Sequence, residues 1–439
     1  MAQRSYRDPL HNIISLEESN REDRLLIDLI DSAEFQRLRR IRQLGLAMFT
    51  YQGAEHSRFT HSLGVMHLTT RALGQLALTS YIDDDDRIAA RAGALLHDLG
   101  HGPFSHLIEK IFGFKHEDWT RRIIGDESTE VNQILRSWDS GLPERLDSIY
   151  KHTYVPAFIS QLVSSQLDCD RMDYLLRDSL MTGVKYGVFD LEWVLHTLRV
   201  ESRSGNIYVE SRGIHAVEEY LQARYYMFRQ VYLHRTLRSA EAVLISALGR
   251  AAQIAEEGGE GPAAAIDTVL DKMIARRPVT TSEYLQLDDT NLLFCLKQWV
   301  LHPDPILSDL ASRFVNRKLF KAIDLDLAPE QMQSFMDRAD RIVADLGFDP
   351  RYYLVMDRAA DVPYYGYYLP GEADPKGLIY VETGSPDPQI KEISEVSEVV
   401  RAMRSFRIDR ACFPLEVYGA LQNLHSDMSR RSHAGHGTL

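Results

Sequence analysis

Apolar residues recur three and four positions apart over most of the first two thirds of the chain, the period of helices with one buried face. "AEFQRLRRIRQLG" follows Asp31 and Ser32, both capping residue types, and stops at Gly45, which predicts a helix. "RFTHSLGVMHLTTRALGQLALTS" carries the same period. "DDDDRIAARAGALLHDLG" opens on four aspartates, which favour the positive end of a helix dipole, and closes at Gly100. Further helices are expected at 156–180, 214–254, 263–276, 291–301 and 305–323, with "EEGGEGP" (256–262) as a surface loop. From residue 350 the texture changes: "RYYLVMD" and "GLIYVETG" read as short strands with Pro and Gly between them. The pattern predicts a mainly α fold, with a helical core over 1–325 and a smaller mixed α/β lobe over 326–439. The tail "RRSHAGHGTL" is expected to be disordered.

Composition changes this picture in three ways. The 439 residues exceed what one compact core usually holds, which supports two parts. Three scattered cysteines, Cys169, Cys295 and Cys412, exclude a disulfide framework and a cysteine zinc site, and suit the cytosol. A net charge of -13 argues against a surface that grips nucleic acid throughout, but leaves room for a small anionic substrate held by local arginines or a metal. The polar amino terminus lacks a signal-peptide core, and no uncharged run approaches the ~20 residues that span a bilayer. A cytoplasmic protein is expected.

Candidate chemistry gathers at "LLHDLGHGPFSH" (95–106). Neighbours His97 and Asp98 diverge by about 100° on a regular helix, so they share a metal only near a helix end. Gly100, Gly102 and Pro103 supply that end. Imidazole nitrogen with carboxylate oxygen suits iron, manganese or zinc in a hydrolytic site. Partners are available upstream, where His61 lies in an apolar helix, and downstream in "SSQLDCDRMDYLLRDS", which offers Asp168, Asp170, Asp173 and Asp178. Four aspartates in one helix are costly, so at least one should face a cation or a base. The residues alone do not choose among them.

The dense stretches "EFQRLRRIRQLG", "GAEHSRFTHSLGVMHL", "AGALLHDLGHGPFSH", "KHEDWT" and "LDCDRMDYLLRD" resemble the HD-domain hydrolases, and among them the deoxynucleoside triphosphate triphosphohydrolases. The resemblance runs from "DPLH" (8–11) to "NRKLFK" (316–321), with only a loose match in the carboxy-terminal lobe and no sterile alpha motif ahead of the core. It implies His61, His97, Asp98 and Asp170 as ligands of a divalent transition metal (Mn, Fe, Ni or Zn), and Mg with the nucleotide phosphates. It implies that water attacks the α-phosphorus of a dNTP, releasing deoxynucleoside and inorganic triphosphate. His106 is then the proton donor to the leaving oxygen, with His101 and His116 at the phosphates. Glu109, where the family commonly has aspartate, orients His106. Arg58, Arg171 and Arg224 take phosphate charge, while Tyr174 and Asp178 meet the sugar. Leu44, after Gln43, and Tyr232 pack against C2′ and exclude a ribose hydroxyl.

The resemblance also implies a homo-oligomer, perhaps a tetramer, activated by dGTP or GTP. Asp31, Gln36 and Arg39 match residues that read the guanine, and Arg235, Arg317 and Lys321 match residues that hold regulatory phosphates. Glu210 stands where the relative has arginine. Two other classes compete: an HD phosphohydrolase of nucleoside monophosphates or cyclic nucleotides, separable by its products, and a non-catalytic nucleotide sensor, separable by binding without turnover.

Overall fold

The computed structural model describes residues 3–257, 261–361, 364, 377–384 and 387–434. The chain opens on an antiparallel hairpin, β1 (Gln3–Asp8) and β2 (Asn12–Glu17), with Asp8 opposite Asn12. Helices follow: α1 (Arg21–Asp31), α2 (Ala33–Arg37), α3 (Arg58–Leu76), α4 (Asp84–Leu96), α5 (His106–Phe112) and α6 (His116–Gly125). Then come α7 (Glu130–Trp138), α8 (Leu142–Tyr150), α9 (Ala157–Val163) and α10 (Cys169–Thr182). The fold is mainly α, as expected.

Two compact units share the chain: residues 1–229, 280–289 and 362–404, and residues 230–279, 290–361 and 405–439. In the first unit α3 packs against α4 and α10. Leu68, Ala72 and Leu76 of α3 and Leu95 and Leu96 of α4 are fully buried, each Leu contributing about 1.5–3 kcal/mol. A mixed sheet in this unit joins β3 (Leu198–Val200) and β4 (Ile207–Val209) to strands Tyr380–Glu382 and Ile390–Glu392, with Val209 paired in parallel to Val381. In the second unit, strand Phe406–Phe413 lies between Lys321–Asp324 and Val355–Asp361, antiparallel to both. These pairings draw the residues after 325 into both units, so the units follow strand pairing and differ from the expected 1–325 and 326–439 division.

Several elements differ from the sequence pattern. The helix begun at Ala33, capped by Ser32 as expected, stops at Arg37 and tightens into a 3₁₀ turn. Beyond it, Ile41 and Gln43 pair their backbones with Arg58 and His56, so the i−4 partners are lost. The helix expected at 156–180 is two, because Asp168 caps a new start by accepting from the Arg171 N–H at 2.7 Å. That expected at 214–254 divides at a π-turn, Phe228–Tyr232. The segments expected at 263–276, 291–301 and 305–323 are helical over Thr268–Ile274, Asp289–Trp299 and Pro305–Val315. Of "RYYLVMD", Pro350–Tyr353 is a short helix and the strand starts at Val355, while "GLIYVETG" does contain a strand. The last helix runs to Ala434, so the tail expected to be disordered begins as helix; residues 435–439 lie outside the described residues, as do 258–260 of the expected loop. The opening hairpin and β3–β4 carry no clear alternation and were not expected.

Candidate active site

α4 ends at Leu96, four residues before Gly100. His97 is its C-cap and keeps helical φ and ψ, and the chain then tightens into turns in which the Leu99 N–H donates to the Leu96 carbonyl and the His101 N–H to the Asp98 carbonyl. Gly100 serves a close approach: a Cβ there would lie 2.1 Å from the His116 carbonyl oxygen and 2.3 Å from the Thr120 nitrogen. Thr120 fastens the contact, accepting from the Gly100 N–H at 2.9 Å and donating to the His97 carbonyl at 3.0 Å. The start of α6, with His116, is thereby packed onto the loop that carries His101.

His61, His97, Asp98 and Asp170 converge. His61 Nε2 is 2.9 Å from Asp170 Oδ1 and 3.8 Å from Asp98 Oδ2. His97 Nε2 is 3.3 Å from Asp98 Oδ1 and 3.6 Å from Asp170 Oδ1. Bonds of about 2.1 Å to a common ion give ligand–ligand edges of roughly 3.0–3.4 Å, so these separations fit a divalent metal. The outer nitrogens agree. His97 Nδ1 donates to the Ala94 carbonyl at 2.8 Å, and His61 Nδ1 meets Asp173 Oδ2 at 2.8 Å, which turns both Nε2 atoms inward. His97 Nε2 is buried and has no hydrogen-bond partner. That orphaned nitrogen among carboxylates is what a metal would occupy.

The electrostatics of the cluster are set by burial and by its carboxylates. Burial opposes charge on His61, yet bonds to Asp170 and Asp173 carry it up to about 10. Against burial, Arg58 and neighbouring imidazoles hold the Asp98 carboxyl well below the usual range, and His61 and His97 do the same for Asp170. Arg58, 3% exposed, donates Nη1 to Asp98 Oδ2 at 2.5 Å and Nε to Ser105 Oγ at 2.8 Å.

The four aspartates of α10 and its cap have four different fates. Asp168 caps the helix, and burial raises it to about 6. Asp170 faces His61 and His97. Asp173 bridges His61 to His11 Nε2 (2.7 Å) and to Arg177, which also grips Asp8. Asp178 accepts from His56 Nε2 at 2.7 Å. Asp173, His11, Arg177 and His56 were not singled out from the sequence, although Asp173 stands among the flagged aspartates and His11 in "DPLH".

A second cluster adjoins the first through His101, whose Nε2 is 3.3 Å from Asp98 Oδ1. Its Nδ1, with those of His106 and His116, lies 3.1–3.2 Å from Glu109 Oε1. The His101 and His116 rings stack at 3.7 Å. Burial, then Arg58 and His116, pushes His101 down to about 3, so its ring is neutral. The loop before His106 is strained: Phe104 and Ser105 have φ of 53° and 56°, a cost of order 1–3 kcal/mol each. Asp289 Oδ1 holds it by accepting from the Phe104 N–H at 2.8 Å, and Ser105 Oγ donates to the Arg42 carbonyl at 2.9 Å.

Of the remaining expected residues, Arg171 and Arg224 come together, both donating to Gln166 Oε1, at 2.9 and 3.1 Å. Gln166 was not foreseen. The Tyr174 ring lies 6.4 Å from that of His61. Leu44 and Gln43 are half-buried, Gln43 receiving the Arg58 Nη2 donor on its carbonyl at 3.4 Å. Asp31 pairs with Arg4 at 2.5 Å; Gln36 donates to the Ile30 carbonyl at 2.7 Å and accepts from Arg39, which lies 3.5 Å over the Phe59 ring. Tyr232, Arg235, Arg317 and Lys321 belong to the second unit, where Arg235 meets Asp324 at 3.2 Å and Arg317 and Lys321 are exposed.

Comparison with known proteins places this geometry. The HD domain family profile matches residues 58–178, the span from Arg58 to Asp178. An uncharacterized Bacillus subtilis protein, YwfO, is 42% identical over 391 residues, covering 89% of this chain and 86% of its own. A solved phosphohydrolase from Bacteroides thetaiotaomicron superposes with a TM-score of 0.77 at 30% identity, over 94% of this chain and 100% of its own. A Dictyostelium discoideum protein named deoxynucleoside triphosphate triphosphohydrolase SAMHD1 homolog is 32% identical over 248 residues, 52% of this chain and 46% of its own. The chain thus spans about half the length of that relative. With the His-Asp pair among its converging ligands and full-length likeness to a solved phosphohydrolase, the chain belongs to the HD-domain phosphohydrolase family.

Proposed function

We propose that the chain hydrolyses deoxynucleoside triphosphates to deoxynucleoside and inorganic triphosphate. The observation that carries this reading is the direct joining of two clusters, the His61–His97–Asp98–Asp170 set and an imidazole–carboxylate set opened to solvent at His106, through Asp98 and His101. A divalent cation (Mn, Fe, Ni or Zn) bound by His61, His97, Asp98 and Asp170 would polarise a phosphoryl oxygen and make hydroxide available near neutral pH. His106, 72% exposed at its side chain, donates the proton that the departing 5′-oxygen needs, and Glu109 orients its ring. His101 and His116 contact the phosphates beside it. Arg58, Arg171 and Arg224 compensate triphosphate charge, with Mg on the nucleotide; the shared Gln166 keeps two guanidiniums side by side. Tyr174 and Asp178 meet the sugar, and Leu44 supplies a wall against a 2′-hydroxyl.

Activation by dGTP or GTP in a homo-oligomer belongs to the same proposal and rests on the resemblance at Asp31, Gln36 and Arg39. A nucleotide there has to displace the Asp31–Arg4 and Gln36–Arg39 contacts. The test is product analysis after incubation with dGTP and Mn²⁺, with and without a second dNTP. Deoxynucleoside with triphosphate is the expected result, and faster loss of the second dNTP in the presence of dGTP supports the activator. Monophosphate with pyrophosphate, or no product from a metal-loaded sample, would overturn the reaction.

A further inference from the structure

Three imidazole nitrogens and one carboxylate oxygen meet at Glu109 in an arrangement that hydrogen bonding does not satisfy. Glu109 Oε1 is 3.1 Å from His101 Nδ1, 3.2 Å from His106 Nδ1 and 3.1 Å from His116 Nδ1. The His116 contact has hydrogen-bond geometry. His101 Nδ1, in a side chain only 1% exposed, has no hydrogen-bond partner. Its other nitrogen, Nε2, faces the Asp98 carboxylate at 3.3 Å, the place for the ring's proton, so Nδ1 presents a lone pair to Glu109. A lone pair 3.1 Å from a carboxylate oxygen is repulsive, and a cation held between them turns the repulsion into two bonds. The spacing is right for it. Zinc with bonds of about 2.0–2.1 Å has tetrahedral edges of roughly 3.3 Å. The four ligand atoms lie within 4.8 Å of one another. His106 is 72% exposed and gives an ion its way in, while Glu109 and His116 are 12% and 15% exposed and close the rest.

We propose that His101, His106, His116 and Glu109 form a second dication site, of the zinc class, and that filling it silences proton donation by His106. The site itself stands on the geometry; its inhibitory consequence rests on the role given to His106 above. Three nitrogens and one oxygen in a tetrahedral set suit zinc, or cobalt as its spectroscopic substitute, and disfavour Mg, which requires octahedral oxygen ligands. An ion bound there takes the Nδ1 lone pairs of all three rings and the Glu109 oxygen that orients them.

The experiment titrates the metal-stripped full chain with Co²⁺ and with Zn²⁺, reading stoichiometry by calorimetry and coordination by the visible Co²⁺ spectrum. Two equivalents are expected for the intact chain, one for Glu109→Ala and one for Asp170→Ala, with the Co²⁺ absorption of the second equivalent lost in Glu109→Ala. His106→Ala, which alters an exposed ring and so preserves the fold, should weaken the second equivalent by about 10–100-fold. One equivalent in the intact chain, or two in Glu109→Ala, would overturn the site. For the inhibitory role, Zn²⁺ beyond the first equivalent should slow hydrolysis of dGTP at least ~10-fold, and an unmoved rate would overturn it. A chain with no triphosphohydrolase activity under any metal sinks the proposed reaction, yet the stoichiometry still decides the site.

Discussion

The two histidine clusters of the first unit are built from the same residue types and share Asp98 as a neighbour, but they are held in opposite ways. In the buried cluster each imidazole is locked by an outer partner, His97 by the Ala94 carbonyl and His61 by Asp173, which is itself clamped by Arg177 and His11. The His61 side chain is 0% exposed. In the second cluster all three rings share one carboxylate, Glu109; His101 also faces Asp98 and stacks on His116, while His106 is open to solvent. Rigidity with outer support suits a resident ligand set, whereas an exposed ring on a strained loop suits a group that must meet a substrate and exchange protons. Position within the site, not residue type, separates the roles.

The sharpest way to break this contrast is Asp170→Ala, which removes one of the four proposed ligands. Activity should fall by about 10³-fold or more and metal content, measured by plasma mass spectrometry, should fall with it. Retained metal with lost activity would show that the buried cluster is not the resident site. Asp173→Ala attacks the outer support, taking the buried partner from His61, His11 and one side of Arg177, which keeps only Asp8. It should destabilise the protein by about 3–5 kcal/mol in denaturant unfolding. The milder Asp173→Asn should cost about 10–100-fold in metal affinity while largely preserving the fold.

On the exposed side, His106→Ala should lower kcat by about 10²–10⁴-fold with metal content of the buried site unchanged. Glu109→Gln, which keeps shape but removes charge, should cost less, about tenfold, and should alter the pH–rate profile because ring orientation and basicity are both lost. If Glu109→Gln instead empties the buried site, the two clusters are one structural unit and the contrast fails.

The smallest effect concerns His67, whose ring lies 5.2 Å from that of His11 behind the buried cluster. Burial, then His11, pushes its pKa down to about 4. The native state thus binds the proton more weakly than the unfolded chain, where the value is near 6.5. Its contribution is present above about pH 6.5 and is lost as pH falls through 4. With the group partly exposed, the loss is of order 1 kcal/mol. His67→Gln should flatten that segment of the stability–pH curve, and an unchanged curve would exclude His67 as its source.

Much of the site was legible along the chain. "HDLGH" and His61 in an apolar helix raised a metal site as an expectation, and the family resemblance supplied the ligand set. The capping function of Ser32 and the acidic start of α4 at Asp84 were also legible, because caps are local. The π-turn at Phe228–Tyr232, the division at Asp168 and the opening hairpin were not. Each is decided by groups distant in sequence or by a register that periodicity does not encode.

Residue types, their order and their helical period by themselves determined a mainly α protein and marked His97 and Asp98 as candidate metal ligands. These are short-range properties: side-chain coordination preference, capping and the 3.6-residue repeat. Only the tertiary structure decided which of the four aspartates faces His61 and His97: Asp168 is taken up in capping α10, and the positions of α3 and α4 select Asp170 among the rest. It also decided that Gln166 joins Arg171 to Arg224, that Asp289 steadies the Phe104–Ser105 loop, and that three imidazoles surround Glu109. Those are contacts between side chains many residues apart, and packing of the intervening helices is the physical agent that brings them together.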